Sequence, residues 1–343
     1  MASPLVNVVG SIPEPGELKE VAPGIHWLRM PLPFKLDHIN LWILEDGDGI
    51  TLVDTGINRD EVRDAWNILF DGPLKDKAVK RVIVTHCHPD HMGLAGWLTR
   101  RFDVEMWTTP GEWSFGRMLS LDSGETSLPA WRTFYHAAGF DDSLMQEVDK
   151  RKNPYPRRVS TIPNQFRSIR DGDEITVGDH TWRAITGFGH SPEHMCLYSA
   201  DAGVMISGDQ ILPKISPNVS VWPQEPEADP LTLYLDSLSK FKDLPADTFV
   251  LPSHNWPFLG LQERLDELLH HHDERLDETV AACATPLTGV EVLKHLFKRE
   301  LDSHQLFFAI GESLAHLHHL MHVGRIVRER GEDGVDRFRA NQI

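Results

Sequence analysis

Cysteine is scarce in this chain of 343 residues: Cys87, Cys196 and Cys283 stand far apart, and there are no others. Three scattered thiols build no disulfide framework, and an odd count fits a reducing compartment. Long apolar runs are lacking too, so no segment reads as a membrane span. The opening MASPLVNVVGSIPEPGELKE has neither the basic start nor the apolar stretch of a secretion signal. These absences lead us to expect a cytoplasmic protein with no membrane anchor. Positive charge is in deficit, with 34 lysines and arginines against 51 acids and a net charge of -17. Such a balance repels phosphate backbones, which argues for a small-molecule substrate and against a nucleic-acid partner. Internal repeats and low-complexity tracts are missing as well.

What is present is ordinary globular material, with 41% hydrophobic residues, enough for a sizeable core. The length exceeds the roughly 100–200 residues of one domain, so a large domain with a smaller one is expected. GIHWLRMPL, HINLWILED and GITLVDTG are short β-type runs bounded by Pro, Gly and Asp, as in an antiparallel meander. RDEVRDAWNILF and MGLAGWLTRRF then show helical spacing around the strand-like VKRVIVTH, and this interleaving points to a layered α/β domain. Residues 111–170 break the rhythm with helical stretches and a proline-rich connector, and they read as a helical insertion. Its aromatics Trp113, Phe115, Trp131, Phe134 and Tyr135 fit either core packing, the simpler reading, or a cover over substrate. Strand-like runs resume and end near residue 260. Residues 261–343 read as three helices and a short charged hairpin, a small winged-helix-like domain. We therefore expect a catalytic domain over 1–260 and a helical domain over 261–343.

The most informative segment is VIVTHCHPDHMG, residues 82–93, which follows a buried-strand pattern with His86, His88, Asp90 and His91. Ligand-type residues at this density at the mouth of a strand point to a metal site. On extended backbone Cys87 faces away from its two histidine neighbours, so packing is the favoured reading for it. Three further ligand types end apolar runs in the same way: His190 after WRAITGFG, Asp209 after GVMISG and His254 after TFVLPS. A carboxylate such as Asp209 can bridge two cations, and imidazoles with carboxylates suit zinc, manganese or iron.

With these residues in place, the chain resembles the metallo-β-lactamase superfamily. The family's H-x-H-x-D-H motif stands here as His86-Cys87-His88-Pro89-Asp90-His91, and His190 in GHSPEH, Asp209 in SGD, His254 in PSHN and Asp54 in LVDTG follow its other motifs. The resemblance covers roughly residues 20–258, and five separated motifs in order make it specific. The last ligand stands in SHN where GHG is commoner. The resemblance implies a four-layer αβ/βα sandwich with the site at one rim, and the tail resembles the winged-helix extension of the lactamase-like protein 2 branch. It implies two divalent metals, zinc first with iron or manganese as alternatives. His86, His88 and His190 would hold one, and Asp90, His91 and His254 the other, with Asp209 bridging. Asp54 would orient a ligand imidazole, and a shared hydroxide, acidified towards a pKa of ~7, would attack the substrate with Asp90 handling the proton.

The implied activity is hydrolysis of a thioester or related activated acyl compound, as in glyoxalase II-like members, although the basic residues for glutathione are not recognisable. Lactone hydrolysis, RNA cleavage by a nuclease and β-lactam hydrolysis are the alternatives. His194 and Lys214 are candidate substrate contacts, with capping and a solvated lysine as the simpler readings. His270–His272 point in different directions at about 3.6 residues per turn. His316, His319 and His322 share a helix face among Leu317, Leu320 and Met321, which favours packing over ligation. The tail mixes acids and bases, so we expect it to shape the substrate pocket or a homodimer interface. KHLFKRE and GRIVRERGEDGVDRFR keep an RNA role open.

Overall fold

Apolar residues fill both alternate sets of positions in the opening strands, so those strands need cover on two sides. A computed structural model describes residues 5–7, 9–298 and 301–341. After a short β1 (Val6–Asn7), seven strands follow in sequence into one sheet. They are β2 (Lys19–Ala22), β3 (Ile25–Pro31), β4 (His38–Asp46), β5 (Gly49–Val53), β6 (Ala78–Ile83), β7 (Met106–Thr108) and β8 (Arg167–Ser168). From β2 to β5 the pairing is the expected antiparallel meander, and from β5 to β8 it is parallel. Parallel neighbours need crossovers. The first is α1 (Asp60–Asp71), and the second is α2 (Pro89–Met92) with α3 (Ala95–Phe102). The helix expected over MGLAGWLTRRF is thus interrupted. At the break a Cβ on Gly93 would lie 2.2 Å from the Pro89 carbonyl oxygen and 2.5 Å from that of Gly56.

Strand alternation sorts the core. Ile39, Leu41 and Ile43 of β4 join Val62, Trp66 and Leu69 of α1 and Leu98 of α3 on one face. Trp42 and Leu44, from the positions between and beyond, meet Trp182, Ala184, Leu197, Ile206 and Leu251 on the other. Those partners belong to the second sheet, formed by β9 (Glu174–Val177), β10 (His180–Gly187), β11 (His194–Ser199), β12 (Val204–Gly208), β13 (Phe249–Pro252) and β14 (Phe258–Leu259). Its order is β1-β14-β13-β12-β11-β10-β9, parallel only between β12 and β13. A one-residue slip in β4 would exchange the two sets, so the hydrophobic pattern dictates the register.

The chain forms two compact units, divided differently from the expected cut after residue 260. The sheet unit runs to Leu121 and includes Pro154–Pro217 and Lys240–Leu265; the other takes Asp122–Asn153, Asn218–Ser239 and the chain from Asp266. The 111–170 insertion is therefore shared. Its α4 (Pro110–Leu121) and α7 (Tyr155–Arg158) belong to the sheet unit, where Trp113 and Phe115 pack on the helix-side core. Its α5 (Leu128–Ala137) and α6 (Asp142–Arg151) belong to the second unit. There Trp131, Phe134 and Tyr135 are buried, and Tyr135 stacks edge-on against Phe307 at 5.2 Å, so the packing reading holds. The second unit also contains α8 (Pro230–Leu238), most of α9 (Leu261–Ala282), α10 (Gly289–Leu296), α11 (Ser303–His322) and the hairpin β15 (Ile326–Arg330)–β16 (Asp336–Ala340). Capping boxes start α10 at Thr288/Glu291 and α11 at Asp302/Gln305. Of the basic KHLFKRE stretch, Arg299 and Glu300 lie outside the described residues. Among the described residues no helix is long and apolar enough to cross a membrane.

Candidate metal centre

Most of the residues singled out for the site sit just past the C-terminal end of a strand, and Asp90 and His91 follow on the short helix α2. Asp54 follows β5, His86 and His88 follow β6, His190 follows β10, Asp209 follows β12 and His254 follows β13. β5 and β6 run parallel, β12 and β13 run parallel, and β10 shares their direction through the antiparallel β11. Within each sheet the ends carrying these residues therefore point the same way.

Two donor groups result: His86, His88, His190 and Asp209 form one, and Asp90, His91 and His254 form the other. His86 Nε2 lies 3.0 Å from His88 Nδ1 and 3.2 Å from His190 Nε2. Asp209 reaches both groups, with Oδ2 3.5 Å from His190 Nε2 and 3.4 Å from His254 Nε2, and Oδ1 3.5 Å from His91 Nε2. Asp90 Oδ2 is 3.5 Å from His254 Nε2. His91 Nε2 and Asp209 Oδ1 are buried without a hydrogen-bond partner, an expensive state for polar atoms. Converging imidazole nitrogens with orphaned atoms beside them fit divalent cations, and the imidazole–carboxylate donor set is of the right chemistry.

The two groups differ electrostatically. Burial, reinforced by neighbouring imidazoles, holds His86 and His88 well below the ordinary histidine range. They are thus neutral, the form that offers a lone pair. At His91 burial works the other way from Asp54, Asp90 and Asp209, which win and raise it well above that range. His254 is raised too, burial being outweighed by Asp209 and Asp90. Asp209 itself is held well below the carboxylate range, because His254 and His91 overcome its burial. The carboxylate-rich half calls for positive charge.

Supports stand behind the donors. Asp54 has a left-handed φ of 62° and spends its carboxylate on Thr85 N–H, Thr85 Oγ1 and His91 Nδ1, each at 2.8 Å. The His91 contact leaves Nε2 turned to the centre. His254 Nδ1 donates to the His38 carbonyl at 2.9 Å, and Asn255 N–H donates to His38 Nε2 at 2.9 Å. Asn40 Nδ2 donates to the carbonyls of Pro252 and Asn255. Glu112 is wholly buried and accepts from Cys87 N–H, Ser191 Oγ and Glu193 N–H. Sequence reasoning missed His38, Asn40 and Glu112, since none belongs to a ligand motif. Only the polar pair His38 and Asn40 in an otherwise apolar strand was a signal.

His194 requires a correction. It is completely buried, and its Nε2 accepts the Asp209 N–H at 3.0 Å, so it braces the Asp209 backbone and presents no surface to a substrate. Lys214 is exposed, with Nζ 5.7 Å from the Trp256 ring centre. Cys87 is buried, and burial with Glu112 nearby pushes its thiol well up, which agrees with packing. His270 is exposed while His272 is buried, the divergence expected of consecutive helical residues. His316 is buried and His322 exposed, so that face gathers no donor group among the described residues.

Two histidine–carboxylate donor groups joined through one aspartate, set at strand ends of a layered α/β fold, define a metal-dependent hydrolase. The chain belongs to the metallo-β-lactamase superfamily, whose family model matches residues 35–254; a metallo-β-lactamase-like C-terminal domain matches 276–341. A solved beta-lactamase domain protein from Burkholderia ambifaria is 45% identical, covers 98% of each chain and superposes with a TM-score of 0.91. A probable metallo-hydrolase of Bacillus subtilis is 24% identical over 304 residues, 84% of this chain and 90% of its own. An acyl-coenzyme A thioesterase of Homo sapiens is 24% identical over 203 residues, 56% of this chain and 65% of its own.

Proposed function

We propose that the protein hydrolyses small acyl thioesters with two zinc ions at this centre. The observation that carries the hydrolytic reading is Asp209 facing both donor groups at once. Similarity to the human acyl-coenzyme A thioesterase supports the thioester. His86, His88 and His190 would hold one ion and Asp90, His91 and His254 the other, with Asp209 common to both. Divalent ions there supply Lewis acidity for a carbonyl and acidify water towards a pKa of ~7. Five imidazoles against two carboxylates favour zinc or iron over manganese.

Asp90 has a side chain 19% exposed, against 10% for Asp209 and 1% for Asp54, so it is the most open carboxylate of the centre. It takes the proton of the attacking water and gives it to the thiolate that leaves as the C–S bond breaks, which departs as the thiol. Asp54 keeps His91 in one tautomer through this change. Lys214 is a candidate partner for an anionic group on the substrate. The net charge of -17 favours a small molecule over RNA, and three free, buried cysteines favour the cytoplasm.

The test is a panel of acyl thioesters, lactones, a β-lactam, a phosphodiester and single-stranded RNA, offered to zinc-loaded protein. We expect kcat/KM for the best thioester to exceed that for any other class at least ~10-fold, a difference of about 1.4 kcal/mol in barrier. Efficient turnover of a lactone or RNA with thioesters untouched overturns the substrate assignment.

A further inference from the structure

Glu112 lies in the first turn of α4, outside both donor groups, with 0% of its surface exposed. Burying a carboxylate costs dearly unless it is well satisfied. Here Oε2 accepts Cys87 N–H at 2.7 Å, while Oε1 accepts Ser191 Oγ and Glu193 N–H, both at 2.6 Å. Cys87 stands between His86 and His88, and Ser191 directly follows His190. One carboxylate therefore ties together the two loops that carry three converging imidazoles. The second loop returns the grip. Glu193 Oε2 accepts Gly111 N–H at 2.8 Å, and the Glu193 carbonyl accepts Thr109 Oγ1 at 2.8 Å. The approach is close, since a Cβ on Gly111 would lie 2.8 Å from Glu193 Cβ.

We propose that Glu112 is a positioning residue that sets His190 against His86 and His88 and so shapes one of the two metal sites. The inference rests on reading these three histidines as ligands. Both carboxylate oxygens face backbone N–H groups, one from each loop. A glutamine must turn its NH2 towards one of them, so Glu112→Gln severs one strap at nearly constant volume. The second donor group, built on Asp90, His91 and His254, has no bond to Glu112 and should be spared.

The experiment is zinc competition against a chromophoric chelator, with visible spectra of the cobalt-substituted protein, on wild type, Glu112→Gln and Ser191→Ala. In Glu112→Gln we expect one equivalent to weaken ~10- to 100-fold, the range for losing a ligand's supporting partner. The other equivalent should stay within about threefold, and part of the cobalt spectrum should change. Ser191→Ala, the milder variant should the first not fold, should weaken the same equivalent by a smaller factor. Unchanged affinities, or equal loss at both sites alongside a lower metal-free melting temperature, overturn the proposal in favour of a merely structural role. Wild-type protein that takes up no zinc overturns the ligand assignment itself, and this inference with it.

Discussion

Asp90 is the most exposed carboxylate of the centre, and the consequence is testable. Asp90→Asn keeps the volume but removes both the proton acceptor and a good ligand atom. We expect turnover to fall ~10²- to 10⁴-fold, the usual span for losing a general acid–base group. The metal-loaded melting temperature should stay within a few degrees of the parent, checked by steady-state rates and thermal melts on one preparation. An unchanged rate would remove Asp90 from the chemistry. At this scale the ligand-type residues were legible because they crowd, four within six positions, or end apolar runs. Glu112, His38 and Asn40 were not. Their roles come from contacts far along the chain, such as Asn40 with Pro252 at a separation of 212 residues.

At the scale of elements, the turn after β12 decides where Asp209 points. Gly208 has φ +53°, and a Cβ there would lie 2.5 Å from His194 Cε1 and Nε2. Left-handed backbone is cheap for glycine and costly for other residues. Gly208→Ala should therefore displace the His194 brace, destabilise the protein by ~1–3 kcal/mol and lower zinc occupancy. Urea unfolding and elemental analysis would report the two effects, and wild-type values for both would refute the role of this turn. The strand–helix alternation was readable from periodicity. The break between α2 and α3 was not, because one of the two carbonyls that crowd Gly93, that of Gly56, belongs to another segment.

At the scale of the molecule, acid should loosen the second unit through two histidines with no part in the metal centre. His272 is buried with neither ring nitrogen hydrogen-bonded, 5.6 Å from the Tyr234 ring and 5.7 Å from His316. Burial, with neighbouring imidazoles adding to it, pushes His272 down to about 3, and burial, against a hydrogen bond to the Glu312 carbonyl, pushes His316 down to about 4. An unfolded histidine titrates near ~6.5. Above that pH both states are neutral and the residues leave stability unchanged. Below it the unfolded chain binds protons that the folded one refuses, so stability falls from pH ~6.5 towards the folded-state values. The slope is up to ~1.4 kcal/mol per pH unit for each histidine. Urea unfolding of metal-free protein at pH 7.5, 6 and 5 should show a shallower decline in His272→Leu than in wild type. Parallel declines would mean that His272 is not held neutral.

The sequence by itself determined a layered α/β rhythm, the crowding of donors at strand ends and the motifs whose resemblance to the metallo-β-lactamase superfamily implied the αβ/βα class. These depend on periodicity and local spacing, which a single chain displays openly. Only the tertiary structure decided that His194 braces Asp209 instead of meeting substrate, that Glu112 straps two ligand loops and that the 111–170 insertion is shared between two units. Each of these depends on which distant segments meet when two sheets stack, and that meeting is made by packing that no local pattern encodes.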